Sequence, residues 1–196
     1  YEDIPDTKQN FNYQIELLTR FLSYLPVQQL YVGECEADDI IGYICRYEFN
    51  DKEKLIISMD QDMHQLISDN TKQYSPASKK ILDQNYVLER YGLSVENFVT
   101  ARCFIGDTSD GIPGIKGVGF KSLVKRFPEL SSDKFVSVSD ILSLCEIRNK
   151  EKSYAMFRNM LEKPDVPLRN WKLMYLDNSN LSATHVEKLK YATAEY

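Results

Sequence analysis

Hydrophobic and polar positions alternate with two different periods along the first third of the chain. Apolar residues recur three and four positions apart over residues 8–25, which predicts an amphipathic surface helix. Residues 28–33 form a short strand-like run, and helical spacing returns over residues 37–45. LIIS at 55–58 is a continuous β-prone run of the kind buried in parallel sheets, and residues 61–68 predict the next helix. This alternation predicts an α/β domain.

The rest of the chain is predicted to be mostly helical. Two short strands are expected at residues 72–75 and 79–82, on either side of a proline turn. A helix should then run over residues 85–91 and end at Gly92. Further helices are expected after the capping residue Ser94 and at residues 119–127, 139–147 and 150–162. Beyond Pro164 the periodicity is weak, and we expect only a tail that packs back on the core.

The composition is that of an ordinary globular chain. Of 196 residues, 43% are hydrophobic and 27% are charged, which predicts one compact unit. The longest apolar runs are far too short to cross a bilayer, so we expect a soluble, cytoplasmic protein without a membrane partner. Its four cysteines are scattered without a CxxC pair, which fits buried, reduced thiols better than disulfides or a zinc site. The chain opens on Tyr1 rather than Met, so residues upstream of it are expected to be missing.

Two groups of acidic residues follow predicted strands. Glu36, Asp38 and Asp39 come just after the first predicted strand, at the start of a helix. Asp60 and Asp62 come just after the LIIS strand. The carboxyl ends of parallel strands meet at one edge of a sheet, where ligands collect. We therefore expect these two groups to share one cleft.

A third acidic pair lies much further along the chain. Asp107 and Asp110 stand in the sequence GDTSD, and with the other five they would bring seven carboxylates together. So many anions cannot all stay ionised without counter-charge, and a divalent metal is the natural one. Because the ligands are all oxygen, with no His or Cys at ligand spacing, Mg²⁺ or Mn²⁺ is expected rather than zinc. Another interpretation stays open for the first group, since acidic residues in the first turn also stabilise a helix dipole.

Spaced glycines and basic residues follow the third acidic pair. The glycines, which permit tight turns and close backbone approach, are Gly111, Gly114, Gly117 and Gly119. The helix after them offers free N–H groups, with Lys121 in its first turn, which predicts a site for backbone phosphates of a nucleic-acid duplex. Lys116, Lys125 and Arg126 crowd into the same segment, although the net charge of the chain is −5. A glycine-rich connector between packed helices is the alternative.

Arg102 occupies a helical position at which an apolar residue is expected. Two interpretations are open. The long side chain either extends to solvent, as arginine usually does, or reaches a phosphate beside Asp107. The two histidines, His64 and His185, have no partner at metal-ligand spacing and are expected at the surface.

Three motifs occur in a fixed order along the chain: GECEADDIIGYI at 33–44, LIISMDQDMHQLI at 55–67, and FIGDTSDGIPGIKGVGFKSLVKRF at 104–127. In sequence, order and separation they closely resemble the motifs of structure-specific 5′ nucleases. That family includes flap endonucleases, bacteriophage 5′-exonucleases and the 5′-nuclease domain of bacterial DNA polymerase I. The resemblance runs from about residue 28 to about residue 130.

The resemblance implies a PIN-like α/β fold, with a central parallel sheet that lacks its first strand and a helix-two-turn-helix region after it. We expect three parts. Residues 1–92 would form the C-terminal half of the nuclease core, residues 93–147 the DNA-binding helix-two-turn-helix region, and residues 148–196 a helical region that packs back on the core.

The activity implied by the resemblance is metal-dependent hydrolysis of phosphodiester bonds near 5′ ends, flaps or forks of DNA, and in RNA primers, during replication or repair. Two ions, roughly 3.5–4 Å apart, would activate a water and stabilise the leaving 3′ oxygen. The first acidic group would hold one metal region, and the third pair would complete the second. The catalytic, metal-binding positions matched by the motifs are Glu36, Asp38, Asp39, Asp60, Asp62, Asp107 and Asp110.

Residues 111–127 resemble the family's helix-two-turn-helix element, which grips the duplex behind the cut and often holds a K⁺ ion in its loop. Arg102 and Lys121 match basic positions that touch phosphates in phage relatives. The expected DNA-binding residues are Arg102, Gly114, Lys116, Gly117, Gly119, Lys121, Ser122 and Lys125.

The sequence departs from the family at its start. Family members begin with a strand that carries an essential metal-binding Asp and then a basic helical arch, and neither precedes Tyr1. Either the sequence is a piece of a longer chain, or the upstream half is disordered or removed, or another polypeptide supplies it. In each case the isolated chain would lack metal ligands.

Two other functions stay open. The chain could be a non-catalytic subunit that binds DNA junctions, an interpretation favoured by the missing strand. A ribonuclease of related fold is less favoured, because such domains generally lack the GIPGIKGVGFKS segment. The expected setting is the cytoplasm of a bacterial or phage-infected cell.

Overall fold

The structure is a computed structural model and describes residues 7–194. Three strands form within this range: β1 (Lys54–Ile57), β2 (Thr71–Ser75) and β3 (Lys80–Leu82). The α-helices described are α1 (Lys8–Leu22), α2 (Ala37–Tyr47), α3 (Gln84–Tyr91), α4 (Phe98–Ile105), α5 (Phe120–Arg126), α6 (Val138–Glu151), α7 (Ala155–Glu162), α8 (Asp165–Met174) and α9 (Ala183–Thr193).

The strands form one small mixed sheet in the order β1-β2-β3. β1 and β2 are parallel, as predicted for a buried LIIS strand, and β2 and β3 form the predicted hairpin. The expected parallel pairing therefore occurs only between β1 and β2 among the strands described. β3 is antiparallel to β2, because the hairpin reverses the direction of the chain. Gln73, on β2, lies between Ile56 and Leu82 on the covered face of the sheet.

Two local predictions from the sequence are wrong. Residues 28–33 form no strand, and Tyr31 within them is 90% exposed. A strand needs a partner for its backbone groups, and the described part of the chain places none beside this run. The helix expected at 61–68 is a single 3₁₀ helix, Asp62–Leu66, which packs Met63 and Leu66 against Ile56.

The main core surrounds α4, which is buried over nearly its whole length. Phe98 and Phe104 are almost fully buried there, and α8 packs closely along the helix. From α8, the buried amide of Asn170 donates to the carbonyls of Cys103 and Pro113, 2.9 Å away in each case. The segment beyond residue 164, where the periodicity is weak, thus forms two regular helices, α8 and α9. A helical region is what the family resemblance implies for residues 148–196.

The chain leaves α4 by a tight turn that depends on glycine. Gly106 has a φ of +79°, in the left-handed region, and Gly114 lies directly against the end of α4. A Cβ atom on Gly114 would lie 1.8 Å from the carbonyl oxygen of Ile105. The backbones of Asp107 and Ile112 then exchange two hydrogen bonds of 2.8 and 2.7 Å, which close the loop carrying the third acidic pair.

The predicted first helix forms as α1, but its apolar stripe is uncovered. None of its residues is buried, and Ile15, Leu18 and Phe21 are 47%, 52% and 62% exposed. Across residues 7–194, we find no helix that is both long enough and apolar enough to span a bilayer. The division into three parts at residues 92 and 147 stays a prediction.

Candidate metal centre

Asp60 and Asp62 stand in a turn that β1 and β2 hold in place. The N–H of Asp60 donates to the Ser58 hydroxyl at 3.0 Å, and the N–H of Asp62 donates to Asp60 Oδ1 at 2.8 Å. From β2, the amide of Gln73 donates to the carbonyls of Ser58 and Asp60, at 3.0 and 2.8 Å. The turn therefore projects both carboxylates from the carboxyl end of β1, where the sequence predicts them.

Buried His64 supports this turn from behind. Its Nδ1 lies 2.7 Å from Gln73 Oε1, and its ring packs edge-on against Phe98. His64 is only 3% exposed, so its predicted surface position is wrong. Burial lowers its pKa, although the hydrogen bond to Gln73 acts in the opposite direction. No sequence pattern indicates this pairing, because the two residues meet only when β2 lies beside β1.

The acidic residues at the start of α2 stabilise the helix and also line a cleft. The carboxylate of Asp39 accepts the N–H of Glu36 at 3.0 Å, which is a helix-capping contact. Glu36 and Asp38 instead line a cleft of about 500 Å³. Burial raises the pKa of Asp38, and the charges of Asp39 and Glu36 raise it further. The Glu36 side chain completes the capping box with Asp39, and Asp38 Oδ1 accepts the N–H of Asp39 at 3.0 Å. All three carboxylates thus fit the helix-stabilising interpretation, and Glu36 and Asp38 also face the predicted site.

The third acidic pair reaches the same place from the end of α4. Asp107 Oδ1 accepts the N–H of Ser109 at 2.9 Å and also its hydroxyl, which fixes the carboxylate. Asp62, Asp107 and Asp110 each offer one oxygen atom, and these three atoms all lie within 4.8 Å of one another. Carboxylates from distant segments therefore meet at a spacing that suits a shared cation.

Two adjoining clefts surround this group. Asp60, Asp107 and Asp110 line the larger, of about 580 Å³, together with Arg102. Asp60 and Asp110 also line the smaller cleft, and Asp62 lies there with Glu36 and Asp38. The two clefts together are lined by six of the seven predicted carboxylates, and Asp39 is the one they do not include.

Arg102 joins the two clefts from α4. Its Nε and Nη2 donate to Asp62 Oδ1 at 3.1 and 3.0 Å, Nη2 also contacts Asp107 Oδ2, and Nη1 donates to the Gly106 carbonyl at 3.2 Å. With its side chain 9% exposed, Arg102 neither extends to solvent nor presents a free guanidinium to a phosphate. The solvent interpretation is therefore wrong, because two half-buried carboxylates pair with the guanidinium. The phosphate contact stays a prediction.

The site keeps an excess of negative charge despite this arginine. Burial raises the pKa of Asp62 and outweighs the opposing charge of Arg102. Burial also acts to raise the pKa of Asp107, but hydrogen bonds from Ser109 and the charge of Arg102 overcome it, so that pKa is lowered. Six carboxylates and one arginine line the two clefts, so their charges do not balance. An all-oxygen donor set with this deficit fits a hard divalent cation.

The glycine segment places its lysines outside the core. Lys116, Lys121 and Lys125 are exposed, so all three can reach a phosphate backbone. Gly117 has a φ of +83°, which favours glycine there. The hydroxyl of Ser122 accepts the Gly119 N–H at 2.9 Å and so caps α5 locally.

Gly114 has a packing role that is independent of any ligand, namely its contact with the end of α4. The loop is also held from α7, because the Asn159 amide donates to the Lys116 carbonyl at 2.8 Å. The glycine segment is therefore both a packed connector and an exposed basic surface. The DNA contacts expected here stay predictions.

Comparison with known proteins finds similar sequences and one matching family model. Residues 4–92 match the family model of the 5′-3′ exonuclease N-terminal resolvase-like domain. A 5′-3′ exonuclease of Buchnera aphidicola subsp. Schizaphis graminum is 32% identical over 150 residues, which is 74% of this chain and 52% of that protein. The thermostable DNA polymerase I of Thermus thermophilus is 31% identical over 150 residues, which is 76% of this chain and 18% of the polymerase. The chain thus spans about half of the first relative and less than a fifth of the second.

Solved structures share the fold. A bacteriophage T5 D15 flap endonuclease, crystallised as a pseudo-enzyme-product complex with DNA and metal ions, superposes with a TM-score of 0.77 over 100% of this chain and 72% of its own, at 20% identity. The T5 5′-exonuclease with bound divalent zinc gives a TM-score of 0.76 over the same share of each chain. The fold class predicted from the sequence is confirmed. Residues 4–92 thus match a 5′-3′ exonuclease domain, and about three quarters of the chain is similar to proteins named 5′-3′ exonuclease or DNA polymerase I.

Proposed function

We propose that this chain is part of a metal-dependent 5′ nuclease that hydrolyses phosphodiester bonds near 5′ ends, flaps or forks of DNA. The observation that carries this proposal is the meeting of Asp62, Asp107 and Asp110 within 4.8 Å, at the junction of two acidic clefts. Relatives named as 5′-3′ exonucleases support the direction of the reaction. RNA primers are a second substrate that we propose on the family resemblance alone.

We propose two divalent ions, Mg²⁺ or Mn²⁺, as the cofactors. Asp60, Asp107 and Asp110 would hold one ion in the larger cleft, and Glu36, Asp38 and Asp62 would surround the other. Bound ions of this kind lower the pKa of a water molecule and stabilise the charge on a leaving oxygen. The residues of the chain position these ions. Gln73 and Ser58 hold the Asp60 turn, and Ser109 holds Asp107.

The basic surface around α5 is proposed to bind the duplex beside the cleavage site. Lys116, Lys121 and Lys125 would contact phosphates and position the DNA without reading its sequence. We also place a K⁺ ion in the loop at residues 114–119, as the family resemblance implies.

An additional polypeptide segment is the third part of the proposal. β1 is an edge strand among the strands described, and Leu55 and Ile57 on its outer face are 53% and 69% exposed. Strands in parallel pairing are usually covered on both faces, and α1 is also uncovered. A further strand and its connecting helix, from the same polypeptide or from a partner, would cover both surfaces and add metal ligands. The cytoplasm of a bacterial or phage-infected cell is the proposed setting.

The alternative is a subunit that binds DNA junctions without cleaving them. The exposed basic surface would serve either function, so a cleavage assay must separate the two. The assay uses a 5′-flap DNA labelled at its 5′ end, Mg²⁺, and the chain within its full-length polypeptide. A nuclease releases short 5′ products, and Asp60→Asn with Asp62→Asn abolishes their release. Ser179→Ala, a polar change outside both clefts, is the matched control.

Two results distinguish the candidates. Cleavage that the Asp60→Asn, Asp62→Asn variant leaves unaltered would refute the proposed metal centre. Flap binding without any cleavage by the full-length protein would favour the junction-binding subunit. Single-stranded RNA in a parallel reaction tests the ribonuclease alternative.

A further inference from the structure

Arg102 is the one positive side chain among the described residues that line the two acidic clefts. It is buried, and it contacts both Asp62 and Asp107. These are two of the three carboxylates whose oxygens meet within 4.8 Å. A guanidinium and a divalent ion would thus be attracted to the same pair of side chains.

The hydrogen bonds show why the two cations would compete. Asp62 Oδ1 accepts both Nε and Nη2 of Arg102. Asp107 Oδ2 accepts Nη2, while Asp107 Oδ1 is already engaged by Ser109. Asp107 Oδ2 therefore has one lone pair left, and a metal ion bound there would share this oxygen with Arg102. Both lone pairs of Asp62 Oδ1 are engaged by the arginine, so an ion that uses this oxygen would have to replace an arginine hydrogen bond.

Arg102 would stay in the centre after such an exchange. Its Nη1 donates to the Gly106 carbonyl at 3.2 Å, so the guanidinium is fixed to the end of its own helix independently of the carboxylates. Its side chain is only 9% exposed, at the wall of the larger cleft. The positive charge would thus remain near a bound ion and oppose its binding.

We propose that Arg102 is a built-in counter-cation of the centre: it holds Asp62 and Asp107 in position, competes with a divalent ion for them, and thereby weakens metal binding. Arg102 is thus a positioning residue rather than a phosphate contact. This inference rests on the proposed metal centre. It concerns affinity for the ion, which can be measured without DNA and without turnover.

The first test is calorimetric titration of the full chain with Mn²⁺. Arg102→Met removes the charge at similar length and should tighten Mn²⁺ binding by about tenfold, since a cation a few ångströms from the ion is lost. Arg102→Lys restores the charge and should return the affinity toward that of the unaltered protein. Arg148→Met is the matched control. Arg148 pairs with Glu129 outside both clefts, so its loss should leave Mn²⁺ affinity unchanged.

A second measurement uses the unaltered protein, because Arg102→Met leaves the half-buried carboxylates of Asp62 and Asp107 without their counter-charge, which can prevent folding. The arginine Nε–H resonances are followed by NMR during titration with Mg²⁺, and the Arg102 resonance is assigned by its absence in Arg102→Lys. We expect the Arg102 signal to shift in step with metal binding, while the Arg148 signal stays fixed.

The outcomes separate this inference from the proposed function. If the unaltered protein binds no Mn²⁺, the metal centre itself fails, and the inference fails with it. If the protein binds Mn²⁺ but Arg102→Met binds it equally or more weakly, only the inference is overturned. An Arg102 Nε–H signal that does not move while Mg²⁺ binds also overturns it.

Discussion

Single residues hold the acidic turn through contacts that are distant in sequence. Gln73 bonds to the carbonyls of Ser58 and Asp60, and His64 bonds to Gln73 in turn. Because His64 is buried as a neutral ring, its protonation must be linked to folding. The carboxylates of the centre are thus supported by a buried polar pair as well as by their own backbone.

The stability of the fold should depend on His64 near neutral pH. Burial lowers the pKa of His64 in the folded chain, whereas in the unfolded chain it titrates near 6.5. As the pH falls below 6.5, the unfolded state takes up a proton before the folded state does, so the folded state loses stability. Below pH 6.5, each unit of decrease in pH should lower the unfolding free energy of the unaltered protein. This decrease should exceed that of His64→Gln by up to about 1.4 kcal/mol per pH unit.

This difference is measured by urea unfolding between pH 7.5 and pH 5, with a chelator present. His185→Gln is the control, because these are the only two histidines of the chain. It should keep the pH dependence of the unaltered protein. An equal slope in His64→Gln would show that the ring is not buried in its neutral form.

Gly114 is a second residue on which the site depends. A Cβ atom there would lie 1.8 Å from the Ile105 carbonyl oxygen and 2.8 Å from the Gly106 nitrogen, and both are backbone atoms that cannot move easily. Gly114→Ala should therefore destabilise the fold by about 3 kcal/mol, as a severe overpacking change does. Gly33→Ala has no atom within 4 Å of the added carbon and should cost less than about 0.5 kcal/mol. Chemical unfolding of both variants tests this, and equal stabilities would refute the close packing.

At the scale of elements, the sequence predicts the strands and helices that have a clear local pattern of apolar and polar residues. The LIIS strand, the hairpin after it, and the helices on either side of the glycine segment all appear near their predicted positions. The strand at 28–33 is absent because pairing requires a neighbour that a local pattern does not contain. α8 was missed because its inward face includes polar Asn170, which bonds to carbonyls of two distant segments.

In the candidate site, too, features with a local sequence pattern could be predicted, and features that depend on distant contacts could not. Its carboxylates could be found from the sequence, since each group follows an element boundary. The partners of Arg102 could not, because Asp62 lies 40 residues away in sequence and meets it only in the fold. Asp39 looks like its acidic neighbours in the sequence, and only the structure shows that its carboxylate caps α2.

The basic segment leading into α5 should supply phosphate contacts as a unit. Lys116→Gln with Lys121→Gln should weaken binding to a duplex with a 5′ flap by about tenfold, and should reduce the slope of log affinity against log salt by about 2. The control variant, Lys52→Gln with Lys80→Gln, removes the same charge from exposed positions on the sheet side. Fluorescence anisotropy over a range of salt concentrations measures both quantities. Equal slopes for the two double variants would argue against a DNA-binding role for this segment.

At the scale of the whole molecule, a well-packed core contrasts with two exposed apolar areas. The core around α4 includes fully buried aromatic side chains, whereas α1 and the outer face of β1 expose apolar ones. Exposed apolar areas of this kind mark surfaces that associate with protein. We propose that a further segment packs on α1 and on the outer face of β1.

The isolated chain should consequently self-associate through this surface. Ile57→Lys places a charge where the side chain is 69% exposed, so it should reduce association at high concentration without lowering the melting temperature. Its neighbour Ile56 is 7% exposed and faces the core, so Ile56→Lys should lower the melting temperature strongly. Light scattering and thermal melts compare the two. Association that Ile57→Lys leaves unchanged would place the contact elsewhere.

The most direct test of the account is the anomalous scattering of Mn²⁺ in crystals of this chain within its full-length polypeptide. We predict two peaks about 4 Å apart, one beside Asp107 and Asp110 and the other beside Asp38 and Asp62. Crystals of Asp107→Asn should lose or weaken the first peak. Mn²⁺ peaks that avoid both clefts, or their absence at millimolar Mn²⁺, would contradict the conclusion that these carboxylates form a metal centre.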